Sequence, residues 1–264
     1  MTHNVEVEHW RTSAMIAHAM LAALAAPAEE RLQMIVFINS QPGVLWKAAM
    51  TPRFEHEPVG AASRLCGVMA DNREKMEMLR AAGLLATAPK PSAEDVASLP
   101  KEFNVAGKWP ECKKVVDDIR DQSNCGCCWA FAPAGAASDR LCIATKAKAL
   151  VPLSAQQACF CPFEFSGDCD GGYPTSAWLH VMREGLVTGG QYNHTGPFGD
   201  LGLCSAYSLP HCHHHGPRGE DPYPAEGHKG CKPFDSPQCP RACDGSARQP
   251  FDSMKNVYKA RQGI

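Results

Sequence analysis

Hydrophobic and polar positions are distributed unevenly along the chain. The first apolar block runs from Ser13 to Ala26 and is rich in alanine. It is shorter than the roughly 20 residues that a bilayer-spanning helix needs. Small residues follow as Ala26-Pro27-Ala28. Two readings stand for residues 1–28: a secretory signal cleaved near that point, or a buried Ala-rich helix. The pattern then predicts a helix over 28–39, opened by Pro27, with Glu29 and Glu30 in its first turn and Gln41-Pro42-Gly43 as its stop. A second helix is predicted over 72–82, with Met76, Leu79 and Met78 on its apolar face and Gly83 ending it. Residues 86–99 are rich in Pro, Ser and Ala and read as a linker.

Beyond the linker the apolar spacing is helical again. Ala134–Ala144 is a good helix former apart from Gly135, and Ala177–Met182 forms a further helix closed before Gly189-Gly190. Pro133 lies just ahead of the first of these, inside a helix that would start at Cys128. It removes a backbone N–H and crowds the Trp129 carbonyl, at a cost of roughly 3 kcal/mol in a regular helix interior. A kink or an irregular first turn is expected there.

Composition narrows the setting. At 264 residues and 44% hydrophobic content, the chain can bury one large core or two small ones. A net charge of −2 gives no case for nucleic-acid binding. Thirteen of the 14 cysteines lie after residue 110. That half reads as oxidised and extracytosolic, with disulfides as the default use of sulfur.

The densest chemistry lies in Asp121-Gln122-Ser123-Asn124-Cys125-Gly126-Cys127-Cys128-Trp129-Ala130-Phe131. The order reads as a turn that delivers a cysteine onto the first turn of a helix. A thiol there faces unpaired N–H groups and the positive end of the helix dipole, both of which favour the nucleophilic thiolate. Closely spaced cysteines are more often disulfide or zinc partners than nucleophiles. The stretch resembles the active-site peptide of the papain family of cysteine peptidases, with its Cys-Gly-x-Cys-Trp core. The resemblance implies Cys128 as nucleophile and Gln122 as oxyanion-hole donor. Cys127 stands where the family has a small residue.

Other stretches extend the resemblance. Phe37-Ile38-Asn39-Ser40, Leu45-Trp46-Lys47-Ala48 and Leu65-Cys66-Gly67-Val68 resemble the pro-segment of cathepsin B-like members, which occupies the substrate cleft in reverse and acts as an intramolecular inhibitor. Leu99-Pro100-Lys101-Glu102-Phe103-Asn104 is similar to the start of the mature enzyme. Asp168-Cys169-Asp170-Gly171-Gly172 matches a loop whose Gly171 and Gly172 would hydrogen-bond extended substrate. Cys204–Cys212 and His213-His214-His215 form a Cys/His-rich region that by itself suggests a metal site. Three consecutive histidines converge poorly on one ion, and a disulfide-tied loop fits better. It resembles the occluding loop, in which His214 and His215 would bind the substrate's C-terminal carboxylate. No metal or cofactor is expected. The resemblance implies the disulfides Cys112–Cys142, Cys125–Cys169, Cys204–Cys243 and Cys212–Cys231, with Cys239 joined to Cys159 or Cys161. Cys127 and the remaining one of that pair are left unmatched. Asn193-His194-Thr195 is a glycosylation sequon.

A thiol peptidase also needs a base. In papain relatives the histidine lies about 130–150 residues past the cysteine, with an asparagine after it. No Gly-His-Ala or Asn-Ser-Trp stretch occurs, and the second, β-rich lobe is expected to be absent. The expectation is therefore an α+β, papain-like chain. A signal would occupy 1–28 and a helical pro-segment with linker 29–98. Residues 99–264 would form mainly the helical first lobe with disulfide-rich loops. The implied function is cysteine-type proteolysis of peptide or protein substrates, secreted or lysosomal/vacuolar, without a membrane span. The alternative is a relative that binds peptide but does not cleave it. A Cys/His metal-binding module is the third reading.

Overall fold

The computed structural model describes residues 29–50, 60, 63, 65–70, 73–86, 89–162, 168–211, 234–244 and 247. The run at 13–26, the Cys212–Cys231 pair and His213, His214 and His215 lie outside the described residues. Of those described, 29–63 belong to one compact unit and 65–247 to another.

In the first unit, helix α1 covers residues 29–40. Its end is tied off by Asn39. The Asn39 amide donates to the Ala48 carbonyl at 3.0 Å and accepts from the Ala48 N–H at 2.8 Å. Gly43 takes the turn between them with φ +80°, a region that favours glycine. Leu45 and Trp46 are exposed.

The second unit contains α2 (Arg73–Ala81), α3 (Ala93–Ser98), α4 (Val105–Lys108), α5 (Lys113–Val116), α6 (Cys128–Ala144), α7 (Ala155–Phe160) and α8 (Pro174–Arg183). Helix α6 is central and packs against α5, α7 and α8. The core joins Trp129, Ala130 and Ala134 of α6 to Leu153, Ala158 and Phe160 around α7, and to Ala177, Val181 and Leu186 around α8. Tyr207 closes it, edge-on to Phe131 and stacked near Phe160. Helix α6 is continuous from Cys128 to Ala144 with Pro133 inside it and buried. Helix α2 buries no residue, with Met76 and Leu79 half-buried and Met78 exposed. The stretch read as a linker holds α3, whose start is a capping box between Ser92 and Asp95.

The α+β expectation is met in its helical part. Among the described residues, β structure is confined to two isolated bridges, Val68 with Gly172 and Leu153 with Thr188. Their backbone groups are satisfied mainly in helices and turns, with disulfides joining the loops. The disulfides are Cys112–Cys142, Cys125–Cys169, Cys127–Cys159, Cys161–Cys239 and Cys204–Cys243. Cys127 is therefore not left over: it bonds Cys159, while Cys161 takes Cys239. No described helix is long and apolar enough to cross a membrane.

Candidate active site

The turn before α6 is held from several directions. Ser123 is buried with φ +62°, and its N–H bonds the Asp121 carboxylate at 2.6 Å. Arg120 is buried against Asp118 at 3.1 Å. It also donates to the Leu153 carbonyl at 2.7 Å and the Ser138 hydroxyl at 3.2 Å. The Gln191 amide bonds the Ile119 carbonyl at 3.0 Å. Tyr207 donates its hydroxyl to the Gln122 carbonyl at 2.9 Å. Burial raises the Tyr207 phenol above its ordinary pKa, with the Asp121 charge adding to the effect, so it remains a donor. Burial also raises Asp139, with Arg120 opposing the rise.

Cys128 opens α6 and keeps a free, partly exposed thiol. Cys127 is the N-cap, and its sulfur is bonded to Cys159. The helix start follows locally: the Cys127 carbonyl accepts from Ala130 and Phe131 at 3.0 and 3.1 Å. The Gly126 N–H bonds the Cys169 carbonyl at 2.8 Å, beside the Cys125–Cys169 disulfide.

That disulfide brings in the Gly171–Gly172 loop. Gly171 has φ +109°, and a Cβ at Gly172 would stand 2.5 Å from the Trp129 ring. The Trp129 indole N–H bonds the Asp168 carbonyl at 3.2 Å, fixing the loop from below. Two glycines thus let a backbone lie flat on the indole. Asp168 has its pKa raised, first by burial and then by the neighbouring charge of Asp170.

A segment of the chain already lies along this surface. Leu65 accepts from the Gln122 amide at 3.1 Å, and the same amide donates to the Cys125 carbonyl at 2.8 Å. The Gly67 N–H points at Cys128 Sγ at 3.1 Å. The Gly67 carbonyl accepts from Gly172 at 2.8 Å, and Met69 donates to the Gly172 carbonyl at 2.9 Å. The pairing is parallel. A Cβ on Gly67 would collide with the Gly126 carbonyl. Cys128, Gln122 and Gly172, separate in sequence, are thus joined by one segment of five residues, 65–69.

His211 is buried beside Thr195 Oγ1 at 3.0 Å and the Asp121 carboxylate at 3.9 Å. Among the described residues, no histidine hydrogen-bonds Cys128. Cys125, Cys127 and Cys159 have sulfurs close enough to share an ion, but each is already in a disulfide. The network centred on Arg120 was not read from the sequence. The Asp118-Ile119-Arg120 spacing was its only local signal.

A free thiol on the first turn of a buried helix, a glutamine amide and a Gly-Gly edge thus lie together at one surface. Residues 99–257 match the family described as papain family cysteine protease, and the chain belongs to that family. It is similar to curated cathepsin B-like proteinases. It is 34% identical over 226 residues to a cathepsin B-like cysteine proteinase of Schistosoma japonicum, covering 85% of this chain and 59% of the relative. It is 34% identical over 196 residues to cathepsin B-like cysteine proteinase 4 of Caenorhabditis elegans, covering 74% and 53%. The chain thus spans between about half and three-fifths of these relatives' lengths. In fold it is similar to proCathepsin B S9 from Trypanosoma congolense. The TM-score is 0.56 at 22% identity, covering 86% of this chain and 68% of that one.

Proposed function

We propose that Cys128, Gln122, Gly171 and Gly172 form the nucleophile-bearing half of a cathepsin B-like peptide cleft. The cleft binds extended peptide backbone, and residues 65–69 occupy it as an internal inhibitor. The observation that carries this reading is the backbone pairing of residues 67 and 69 with Gly172, made while Gly67 covers the Cys128 thiol. Backbone pairing along an edge recognises peptide whatever its side chains. Gln122 is the oxyanion donor, and its amide already holds a carbonyl oxygen, that of Leu65. His214 and His215 would receive a substrate carboxylate. Five disulfides and the family relation support an extracytosolic setting, secreted or lysosomal.

Cleavage is a separate step. A thiol peptidase needs a base to hold the thiolate and to protonate the leaving amine. The 264 residues contain no Gly-His-Ala or Asn-Ser-Trp stretch, and the histidines with described side-chain contacts are engaged elsewhere. The reading is therefore peptide binding without turnover by these residues alone. The second reading is full cysteine-peptidase chemistry, favoured by the free Cys128 thiol at the helix start. One assay separates them. The 264-residue chain is mixed with a fluorogenic dipeptidyl substrate and with a fluorescent peptide bearing a free carboxylate. Saturable binding without hydrolysis is expected. Hydrolysis lost in Cys128→Ser would establish the second reading, and absence of both would overturn the cleft.

A further inference from the structure

Cys66 and Cys128 are the free cysteines among the described residues, and every other cysteine described is in a disulfide. The 3.1 Å contact from the Gly67 N–H to Cys128 Sγ fixes where Cys66 sits. In a planar trans peptide the preceding Cα lies on the same edge as the N–H. Standard bond lengths then put Cys66 Cα about 4 Å from Cys128 Sγ. Cys128 Sγ lies one side chain away from its own Cα, so the two Cα atoms are at most roughly 7 Å apart, beside the 4.4–6.8 Å that disulfides accept, and a side-chain rotation can bring the sulfurs together. The neighbours prevent drift: the Leu65 carbonyl is held by Gln122, and Gly67 by Gly172. Cys66 is exposed, open to a reagent in solution, while Cys128 lies partly covered beneath residues 65–69.

We propose that Cys66 and Cys128 are a redox latch, a reversible disulfide that ties the covering segment to the thiol it covers. The latch rests on the reading of residues 65–69 as occupant of the cleft. The oxidant is a small disulfide of the glutathione type. The Cys66 thiolate attacks one of its sulfurs, forms a mixed disulfide and expels one small thiolate. The Cys128 thiolate then attacks the Cys66 sulfur, forms the Cys66–Cys128 bond and expels the second. Two protein thiols are oxidised and one small disulfide is reduced to two thiols, which take up the two protons. A dithiol reductant reverses both steps. The latch would hold the segment in place in an oxidising compartment and release it in a reducing one.

The test uses the full 264-residue chain under native conditions with oxidised glutathione, followed by non-reducing peptide mapping. The expected result is a linked peptide pair containing Cys66 and Cys128. Iodoacetamide labelling of Cys128 should be lost and then restored by dithiothreitol. In Cys66→Ser the linked pair should be absent. The latch is overturned if both cysteines carry glutathione, or stay free, while the five native disulfides map intact. It is equally overturned if no linked pair forms in the native chain while the reduced Cys66→Ser protein binds peptide. A linked pair in a protein whose reduced Cys66→Ser form binds no peptide would instead sink the functional reading and leave the bond standing.

Discussion

Helices α2 and α6 both belong to the second unit, and both carry apolar side chains, but they use them differently. Helix α6 buries Trp129, Ala130, Pro133, Ala134, Ser138 and Cys142. Its N-cap residue is bonded to Cys159 and Cys142 near its end to Cys112. Helix α2 buries nothing and rests on half-buried Met76 and Leu79, with Lys75 over the Tyr173 ring at 4.3 Å. The segment before α2 is placed by backbone hydrogen bonds to Gly172 rather than by side-chain packing. The difference separates a permanent wall from a displaceable cover. Side-chain burial and disulfides build the wall that carries Cys128. Residues 65–69 are held by contacts worth little each, which is what the proposed internal inhibitor would need if peptide is to enter.

The sharpest way to break this contrast is to make the same kind of cut in both helices. Trp129→Ala removes a wholly buried ring and the floor under Gly172. It should cost about 3–5 kcal/mol in denaturant unfolding. Met78→Ala, at an exposed site on α2, should stay within about 0.5 kcal/mol. Equal losses would show that α2 is part of the scaffold.

Arg120 sharpens what the wall consists of. It is paired to Asp118 with both side chains buried, and it ties the turn before Cys128 to α6 and to Leu153. Arg120→Ala leaves a buried carboxylate and should cost roughly 3–5 kcal/mol. The double change Asp118→Leu with Arg120→Met should cost less than that single one, measured by urea midpoints. A double variant as unstable as Arg120→Ala would mean that the hydrogen bonds to Leu153 and Ser138 matter more than the ion pair.

The cover itself is probed at Gly67. A side chain there meets the Gly126 carbonyl, so Gly67→Ala should lift residues 65–69 from the cleft. With net hydrogen bonds worth about 0.5–1.5 kcal/mol each, alkylation of Cys128 should quicken roughly tenfold. Gly135→Ala is the control. A Cβ at Gly135 meets nothing, and the exchange should stabilise α6 by about 0.8–1 kcal/mol without quickening alkylation. Unchanged labelling in Gly67→Ala would show that the segment does not guard the thiol.

How far the molecule was legible follows the same division. The wall announces itself in sequence, because Cys125, Gly126, Cys128, Trp129 and the Gly171–Gly172 pair are local motifs with steric reasons for their identity. The helix end at Gly83 was equally local, and it takes positive φ. What sequence could not give was set by distant contacts. Cys127 reads as a surplus thiol until folding brings Cys159 beside it. Arg120 carries no local sign of its role, which is set by Leu153, thirty-three residues away, presenting its carbonyl. Pro133 reads as a disturbance of α6 because propensity ignores packing, and the structure buries it within a continuous helix. Residues 86–99 read as linker because composition outweighs a short capping box at Ser92 and Asp95.

The smallest expected effect lies where wall and cover meet. Asp168 has a left-handed backbone, φ +51°, which asparagine also tolerates, and its carbonyl receives the Trp129 indole. Burial and then Asp170 raise its carboxyl above the ordinary value of 3.8. A raised carboxyl favours the folded state when protonated, and that advantage is lost as pH rises through the folded pKa. Ionised Asp168 is therefore a small liability at neutral pH, moderated by solvent because the residue is only half-buried. Asp168→Asn keeps the backbone and removes the charge. Its melting temperature should exceed that of the native chain at pH 7, and the two should converge as pH falls below 3.8. The gain should be modest, and iodoacetamide labelling of Cys128 should not change with it, because the strand over Gly172 contacts backbone rather than this carboxylate. A variant less stable at pH 7 would mean that the ionised carboxylate accepts hydrogen bonds that outweigh its burial. The Gly-Gly edge would then belong to an electrostatic site as well as a steric one.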